Sequence, residues 1–132
     1  NHDNDEVYIA MCYPYTYTDC NNFLSKMITD KSELFADDLK FAKQSPETML
    51  TLDYNKFSKQ LGAIAKRKCI FLTSRVHPGE SNSSYVIEGL IQYLLGNDKI
   101  AQELRDRYVF KIVPMLNPDG VVVGNYRCSL SG

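Results

Sequence analysis

The sequence carries almost no net charge, because 15 lysine and arginine residues balance 16 aspartate and glutamate residues to a formal charge of -1. This balance argues against a protein that holds nucleic acid or an anionic membrane through its overall field. Long hydrophobic runs are missing too, since none approaches the roughly 20 apolar residues that span a bilayer. The polar residues 1–6 lack the basic and then apolar pattern of a signal peptide. We therefore expect neither nucleic-acid nor membrane partners.

Cysteine and histidine are scarce. The four cysteines form neither C-x-x-C pairs nor the dense pattern of a small disulfide scaffold, which favours free thiols in a reducing compartment. The only histidines are His2 and His77. A serine-type catalytic triad therefore has no second histidine to act as a base near Ser81, Ser83 and Ser84.

The chain has 132 residues, of which 44% are apolar and 11% aromatic. This length suffices for one domain or part of one and rules out a second full domain. The apolar content is enough to bury a core, so general disorder is not expected. The chain starts with Asn1 rather than Met and ends in the loop-like residues 129–132. We therefore treat truncation as a hypothesis.

The spacing of apolar residues predicts an α/β fold. In the second half it predicts two strands buried on both faces, at 69–76 and 108–115, with a helix at 83–95 between them. A connection of this length implies parallel neighbours and a right-handed crossover. The predicted apolar stripe of that helix consists of Val86, Leu90, Tyr93 and Leu94.

The remaining predicted elements are short, and residues 50–61 show no clear periodicity. These elements are a strand over 7–13, a helix capped by Thr18 or Asp19, a weak helix over 32–43, a short helix capped by Asp98 and a turn over 117–120.

Two loops lie where the carboxyl ends of parallel strands would converge, at 75–80 and 117–127. The first contains His77 and Glu80 at a strand-to-helix junction. Imidazole nitrogen and carboxylate oxygen are both good zinc ligands, and a catalytic zinc usually has three protein ligands and an open position. As a bare pattern, H-x-x-E is explained equally well by a polar loop residue beside a helix-capping glutamate.

Other polar residues of these loops have both a functional and a structural interpretation. Arg75 and Arg127 could hold a carboxylate or stabilise an oxyanion, but ion pairs on a solvated face are the more common use of arginine. Asn117 and Asp119 could be ligands, although such residues in a turn more often bond to their own backbone. The tyrosines at positions 13, 15 and 17 could stack on a ligand or pack in the core and rim.

Three blocks of sequence resemble the cytosolic carboxypeptidases, the tubulin-deglutamylating branch of the carboxypeptidase A-like zinc enzymes. The blocks are 75–84, 110–121 and 124–132, and residues 12–19 also resemble the family's entry into its catalytic domain. The resemblance implies a partial α/β/α carboxypeptidase A-like fold with a mixed, largely parallel sheet. Residues 1–132 would then be the N-terminal part of a zinc carboxypeptidase catalytic domain, with a divergent stretch at about 30–68.

The resemblance also implies a site and a reaction. His77 and Glu80 match the first two zinc ligands, and Arg127 matches the arginine that helps to polarise the scissile carbonyl. In such enzymes zinc and a glutamate general base activate a water that attacks the last peptide bond. The third zinc ligand, the clamp for the substrate carboxylate and the general base are expected beyond Gly132. The 132-residue chain alone is therefore expected to be inactive and to bind zinc poorly.

The implied partners are acidic polypeptide tails such as those of tubulin, from which C-terminal or side-chain glutamates are removed. The implied location is the cytoplasm, at microtubules or cilia. Two alternatives stay open. The chain could be a non-catalytic binding or structural module, or a truncated inactive product. A zinc site could also be completed by His2 or by a cysteine, which is the less favoured arrangement.

Overall fold

A pair of parallel strands forms the sheet of the computed structural model, which describes residues 6–7, 9–31, 62 and 66–132. Its elements are α1 (Tyr17–Asp30), β1 (Lys68–Thr73), α2 (Asn82–Leu94), α3 (Lys99–Arg107), β2 (Tyr108–Val113) and α4 (Pro118–Val123). The predictions for residues 32–43 and 50–61 lie outside the described residues. Among the described helices, none combines the length and the apolar character that crossing a bilayer requires.

Strands β1 and β2 pair in parallel, with Thr73 opposite Val113, and α2 and α3 connect them. This arrangement confirms the predicted α/β fold class and the parallel neighbours. Pairing continues past the strands, because Ser74 N donates to Val113 O at 3.0 Å and Leu116 N donates to Ser74 O at 2.8 Å. The loops that follow the two strands therefore start side by side at the same edge of the sheet.

Strand β1 is shorter and less buried than the sequence predicts. Ile70 and Leu72 are half-buried, whereas Cys69 and Phe71 are exposed, Phe71 by 64%. The prediction that 69–76 is buried on both faces is therefore wrong for the described part of the chain. An apolar run gives both faces of a strand the composition of a core, but described residues cover only one face.

The predicted strand at 7–13 is wrong for the described residues of that stretch, which form no strand. Ile9 is 97% exposed. Strand propensity reflects how well a side chain fits a half-buried sheet surface, so strand-forming residues need a neighbouring ladder to form a strand. The end of the stretch is held differently, because the Ser81 hydroxyl donates to the Tyr13 carbonyl at 2.7 Å.

Helix α1 starts with a capping box formed by Thr16 and Asp19. The Thr16 hydroxyl accepts from Asp19 N at 3.1 Å, and the Asp19 carboxylate accepts from Thr16 N at 2.7 Å. The predicted caps, Thr18 or Asp19, are therefore wrong. Asp19 occupies the third helical position, where its carboxylate completes the box instead of capping the helix itself.

Of the predicted stripe of helix α2, Leu94 is buried as expected, but the other residues that the helix buries differ from the predicted ones. Val86 is 72% exposed and Tyr93 is also exposed, so their assignment to the core is wrong. Apolar residues lie on more than one side of this helix, and periodicity alone does not decide which side packs inward. The residues that α2 buries are Ser84, Ile87, Ile91 and Leu94.

A small core joins the start of α1 to the end of β2. Tyr15, Cys20 and Met115 are buried together, and Leu24 and Val121 pack against them. The Cys20 thiol is unpaired, as are the other three cysteines, which are exposed. This core holds the segment before α1 against the two loops that leave the sheet.

Residues 117–120 are the start of α4 rather than an isolated turn. The Asn117 side chain caps the helix by accepting from Gly120 N at 3.0 Å. Pro118 suits the first helical position because no intrahelical bond is required from its nitrogen. The four-residue pattern of a tight turn is also that of a helix start, and Val121–Val123 continue the helix here.

Asp98 caps α3, as the sequence predicts. Its carboxylate accepts from Ile100 N at 2.9 Å and from Ala101 N at 3.3 Å. It also accepts from the Tyr93 hydroxyl at 3.0 Å. The Tyr93 hydrogen bond, followed by the two backbone bonds, holds the pKa of Asp98 below its ordinary value.

We expect the substitution Asp98→Asn to flatten the acid limb of the stability profile while α3 stays capped, because asparagine caps about as well as aspartate and does not titrate. A lowered pKa in the folded protein means that the unfolded chain binds the proton more readily. The stabilisation is therefore full above the ordinary carboxyl pKa of about 3.9 and is lost as the pH falls through the lowered value. Urea unfolding of both proteins from neutral pH down to about pH 3 measures the difference. Identical pH profiles would contradict the prediction.

Candidate metal centre

The His77 and Glu80 side chains meet in the loop that follows β1. Nδ1 of His77 lies 3.2 Å from each of the two Glu80 carboxylate oxygens. The loop between the two residues is a tight turn, in which Glu80 N donates to His77 O at 3.2 Å. Both side chains are partly exposed, so an ion or a substrate can reach them from solvent.

The separation of these donor atoms suits two ligands of one zinc ion. Zinc binds histidine nitrogen and carboxylate oxygen at about 2.0–2.2 Å, so two ligands in tetrahedral geometry lie about 3.4 Å apart. Within the described ranges, no group of three or more histidine, cysteine, aspartate or glutamate side chains is gathered. A described cysteine therefore does not complete the site, and His2 lies outside the described residues.

Arg127 lies against both of these side chains. Its Nη1 donates to Glu80 Oε1 at 3.3 Å, and its Nη2 lies 3.1 Å from His77 Nε2. A guanidinium group carries only donors, so Nε2 of His77 is the acceptor in this arrangement. The Arg127 side chain is 60% exposed. All three residues that the sequence singled out for the site therefore lie in one cluster at the edge of the sheet.

Two glycines allow the loops around this cluster to touch. Gly79 N donates to Tyr126 O at 2.7 Å, and a Cβ atom at Gly79 would lie 2.3 Å from the Tyr126 ring. A Cβ atom at Gly120 would lie 2.4 Å from Pro78 Cγ and 2.8 Å from Cys128 O. The loop with His77 and Glu80, the start of α4 and the segment with Arg127 therefore pack at distances that only glycine permits. The sequence interpretation missed this, because a glycine after Pro78 or Asp119 indicates only a turn.

Asn117 links the same loops through its side chain. Besides capping α4, its Nδ2 donates to Val76 O at 3.4 Å and to Cys128 O at 3.3 Å. These carbonyls belong to the neighbours of His77 and Arg127 in the sequence. The expectation that Asn117 bonds to its own backbone is confirmed at Gly120 N, but the same amide also bridges the two halves of the cluster.

Arg75 is buried beneath the cluster, so its interpretation as an ion-pair residue on a solvated face is wrong. It is 5% exposed. Its guanidinium donates to Pro78 O at 2.8 Å, to Ser84 Oγ at 2.8 Å and to Tyr15 O at 3.0 Å. These acceptors replace the water that a buried cation loses. Burial lowers the pKa of Arg75 from its ordinary value, and guanidinium still stays protonated.

Of the tyrosines at positions 13, 15 and 17, only Tyr15 is buried, whereas Tyr13 is 81% exposed and Tyr17 is 44% exposed. Tyr15 is buried, its ring meets the edge of the Tyr85 ring at a centroid distance of 5.1 Å, and its hydroxyl donates to Glu88 at 2.5 Å. Burial, with the Glu88 contact second, raises the pKa of Tyr15. The packing interpretation of Tyr15 is confirmed.

Asp119 lies exposed in the first turn of α4 and does not join the cluster.

The sequence profile of the zinc carboxypeptidase family matches residues 42–131, which is most of the chain. The chain therefore belongs to the zinc carboxypeptidase family.

Among known proteins, the chain is similar to cytosolic carboxypeptidase 2 of Xenopus tropicalis, with 46% identity over 99% of this chain and 14% of that protein. It is similar to cytosolic carboxypeptidase 3 of Bos taurus, with 46% identity over 99% of this chain and 13% of that protein. It thus spans about a seventh of the length of these relatives. Among solved structures, it is similar to a metallo-carboxypeptidase from Burkholderia cenocepacia. The identity is 42% and the TM-score 0.48, over 50% of this chain and 19% of that one.

Proposed function

We propose that this chain supplies two zinc ligands and an oxyanion-stabilising arginine to the active site of a carboxypeptidase. His77 and Glu80 are the ligands, and Arg127 is the arginine. The observation that carries the proposal is the geometry of the cluster, in which Nδ1 of His77 faces both Glu80 oxygens at 3.2 Å and Arg127 lies beside them. Membership of the zinc carboxypeptidase family supports the proposal independently.

Each side chain has a defined task. His77 would offer Nδ1 in the tautomer that carries its proton on Nε2, which requires Arg127 to leave Nε2, and Glu80 would offer a carboxylate whose charge offsets that of the ion. When bound, zinc supplies a Lewis acid that polarises a carbonyl and lowers the pKa of a water molecule. Arg127 offers a guanidinium group, and its exposed side chain has room to turn from Glu80 towards the carbonyl oxygen of a bound peptide. There it stabilises the negative charge that develops on that oxygen during attack.

The proposed substrates are acidic polypeptide tails, such as those of tubulin, that lose C-terminal or side-chain glutamates in the cytoplasm. The support for this class is the resemblance to the cytosolic carboxypeptidases and the names of the relatives at 46% identity. Association with microtubules or cilia belongs to the same proposal.

Release of glutamate from a peptide that ends in several glutamates tests the proposed reaction. We expect the zinc-loaded full-length protein to shorten this peptide and to leave the same peptide with a C-terminal amide intact, because a carboxypeptidase requires a free terminus. No release by the zinc-loaded protein would overturn the proposed function. Cleavage of both peptides would point to an endopeptidase instead.

The substitution Arg127→Ala tests the role of the arginine. We expect it to lower kcat by about 100-fold to 1000-fold, the usual effect of removing one donor to an oxyanion, while the bound zinc per protein stays unchanged. Arg107→Ala is the matched control, because it removes the same charge from an exposed residue at the end of α3. Equal losses of kcat in both variants would contradict a specific role of Arg127.

A further inference from the structure

We propose that Arg75 is a positioning residue that fixes the two metal ligands from beneath their loop. This inference rests on the proposed function and deepens it. Arg75 lies two residues before His77, yet its side chain is buried and points away from the solvent in which a substrate would bind. Its role is therefore exerted through the loop and not through contact with the reacting atoms.

One of the three contacts of Arg75 is to the middle of the loop from His77 to Glu80, called the ligand loop below. Nε donates at 2.8 Å to the carbonyl of Pro78, which lies in the chain between His77 and Glu80. The nitrogen of the same peptide group, that of Gly79, donates to Tyr126 O at 2.7 Å. Both polar ends of the peptide group between Pro78 and Gly79 are thus held, which leaves His77 and Glu80 little freedom to separate.

The two other nitrogens of the guanidinium anchor the loop to the fold. Nη1 donates to Ser84 Oγ in the first turn of α2, and Nη2 donates to Tyr15 O before α1. Ser84 is almost fully buried, at 1% exposed. One side chain therefore ties the ligand loop to a helix on one side and to the small core on the other.

The backbone of Arg75 supports the same conclusion. Its φ angle is +54°, in the left-handed region that a residue with a Cβ atom rarely adopts. Such a conformation persists only where the surrounding contacts over-determine it. The three hydrogen bonds to separate acceptors also require the planar guanidinium group of arginine. Lysine lacks this geometry because its ammonium group is a single point of charge.

Amide hydrogen exchange in the full-length protein without added metal tests the positioning role. We expect Arg75→Lys to speed exchange at the Gly79 and Glu80 amides at least tenfold, while the β2 amides keep the exchange rates of the parent protein. Tyr15→Phe is the control, because it removes a partly buried hydrogen bond to Glu88 and leaves all three acceptors of Arg75 in place. Unchanged exchange at Gly79 and Glu80 in Arg75→Lys, or an equal increase in Tyr15→Phe, would overturn the proposal.

Zinc affinity measures the consequence for the site. We expect Arg75→Lys to weaken zinc binding about 10-fold to 100-fold, as loss of a residue that orients ligands commonly does, and Tyr15→Phe to leave it unchanged. Equal zinc affinity in Arg75→Lys and the parent protein would overturn the link to the metal. A parent protein that binds no zinc would refute the proposed function, and the exchange rates would still decide the positioning role.

A milder variant covers the case in which Arg75→Lys does not fold. Ser84→Ala removes one acceptor of Arg75 and leaves the charge in place. We expect Ser84→Ala also to speed hydrogen exchange at the Gly79 and Glu80 amides. The increase should be smaller than in Arg75→Lys and confined to the ligand loop. Exchange rates at these two amides that match those of the parent protein would then count against the proposal.

Discussion

Replacement of Glu80 by glutamine is expected to lower the zinc affinity of the full-length protein about a hundredfold. Zinc binds to small structural sites with about 10–16 kcal/mol shared among four ligands, so one ligand contributes about 3 kcal/mol, or roughly a factor of a hundred. Glutamine keeps the size of the Glu80 side chain but removes the charge that faces Nδ1 of His77 at 3.2 Å. Competition with a chromophoric chelator measures the affinity.

The matched control for this variant is Glu103→Gln. Glu103 lies exposed on α3, so its substitution changes the net charge equally without touching the cluster. We expect its zinc affinity to equal that of the parent protein. An equal loss in both variants would assign the effect to net charge, and no loss in Glu80→Gln would exclude Glu80 as a ligand.

Replacement of Gly120 by alanine is expected to destabilise the fold by about 1–3 kcal/mol, the usual cost of forcing extra atoms into a packed site. The new Cβ atom would lie 2.4 Å from Pro78 Cγ, 2.8 Å from Cys128 O and 2.9 Å from Asn117 Nδ2. These close contacts are relieved only if the ligand loop and the segment after α4 move apart. We therefore also expect a weaker contact between Arg127 and Glu80.

We expect Gly89→Ala to change the stability in the opposite direction. Gly89 lies within α2, and a Cβ atom there would meet no atom within 4 Å. Alanine should stabilise the helix by up to about 1 kcal/mol, because glycine is the poorer helix former. Urea unfolding of both variants measures the two changes. Changes of equal sign and size would show that Gly120 is governed by helix propensity and not by the contact between the loops.

Local signals predicted the parts of the fold that depend on neighbours in the sequence. Asp98 caps the helix that follows it because its acceptor atoms and their donors lie within three residues. The parallel pairing of β1 and β2 follows from the length of the connection between them. At the site, the resemblance to a known family drew attention to His77, Glu80 and Arg127, which the fold brings together.

Contacts between residues far apart in the sequence could not be predicted in this way. Arg75 donates to Tyr15 O across 60 positions, so nothing near it in the chain indicates that it is buried. The same holds for Gly79, whose close approach to Tyr126 depends on how two loops pack. The predicted stripe of α2 is confirmed at Leu94 but wrong at Val86 and Tyr93, and the side that packs inward includes Ser84, whose hydroxyl accepts from Arg75.

The position of the bound metal tests the central claim most directly. Crystals of the full-length protein grown with zinc give an anomalous difference map at the zinc absorption edge, which locates the ion without reference to activity. The account predicts a peak about 2.0–2.2 Å from Nδ1 of His77 and from a carboxylate oxygen of Glu80. A zinc peak bound by other residues, with His77 and Glu80 free of metal, would contradict it.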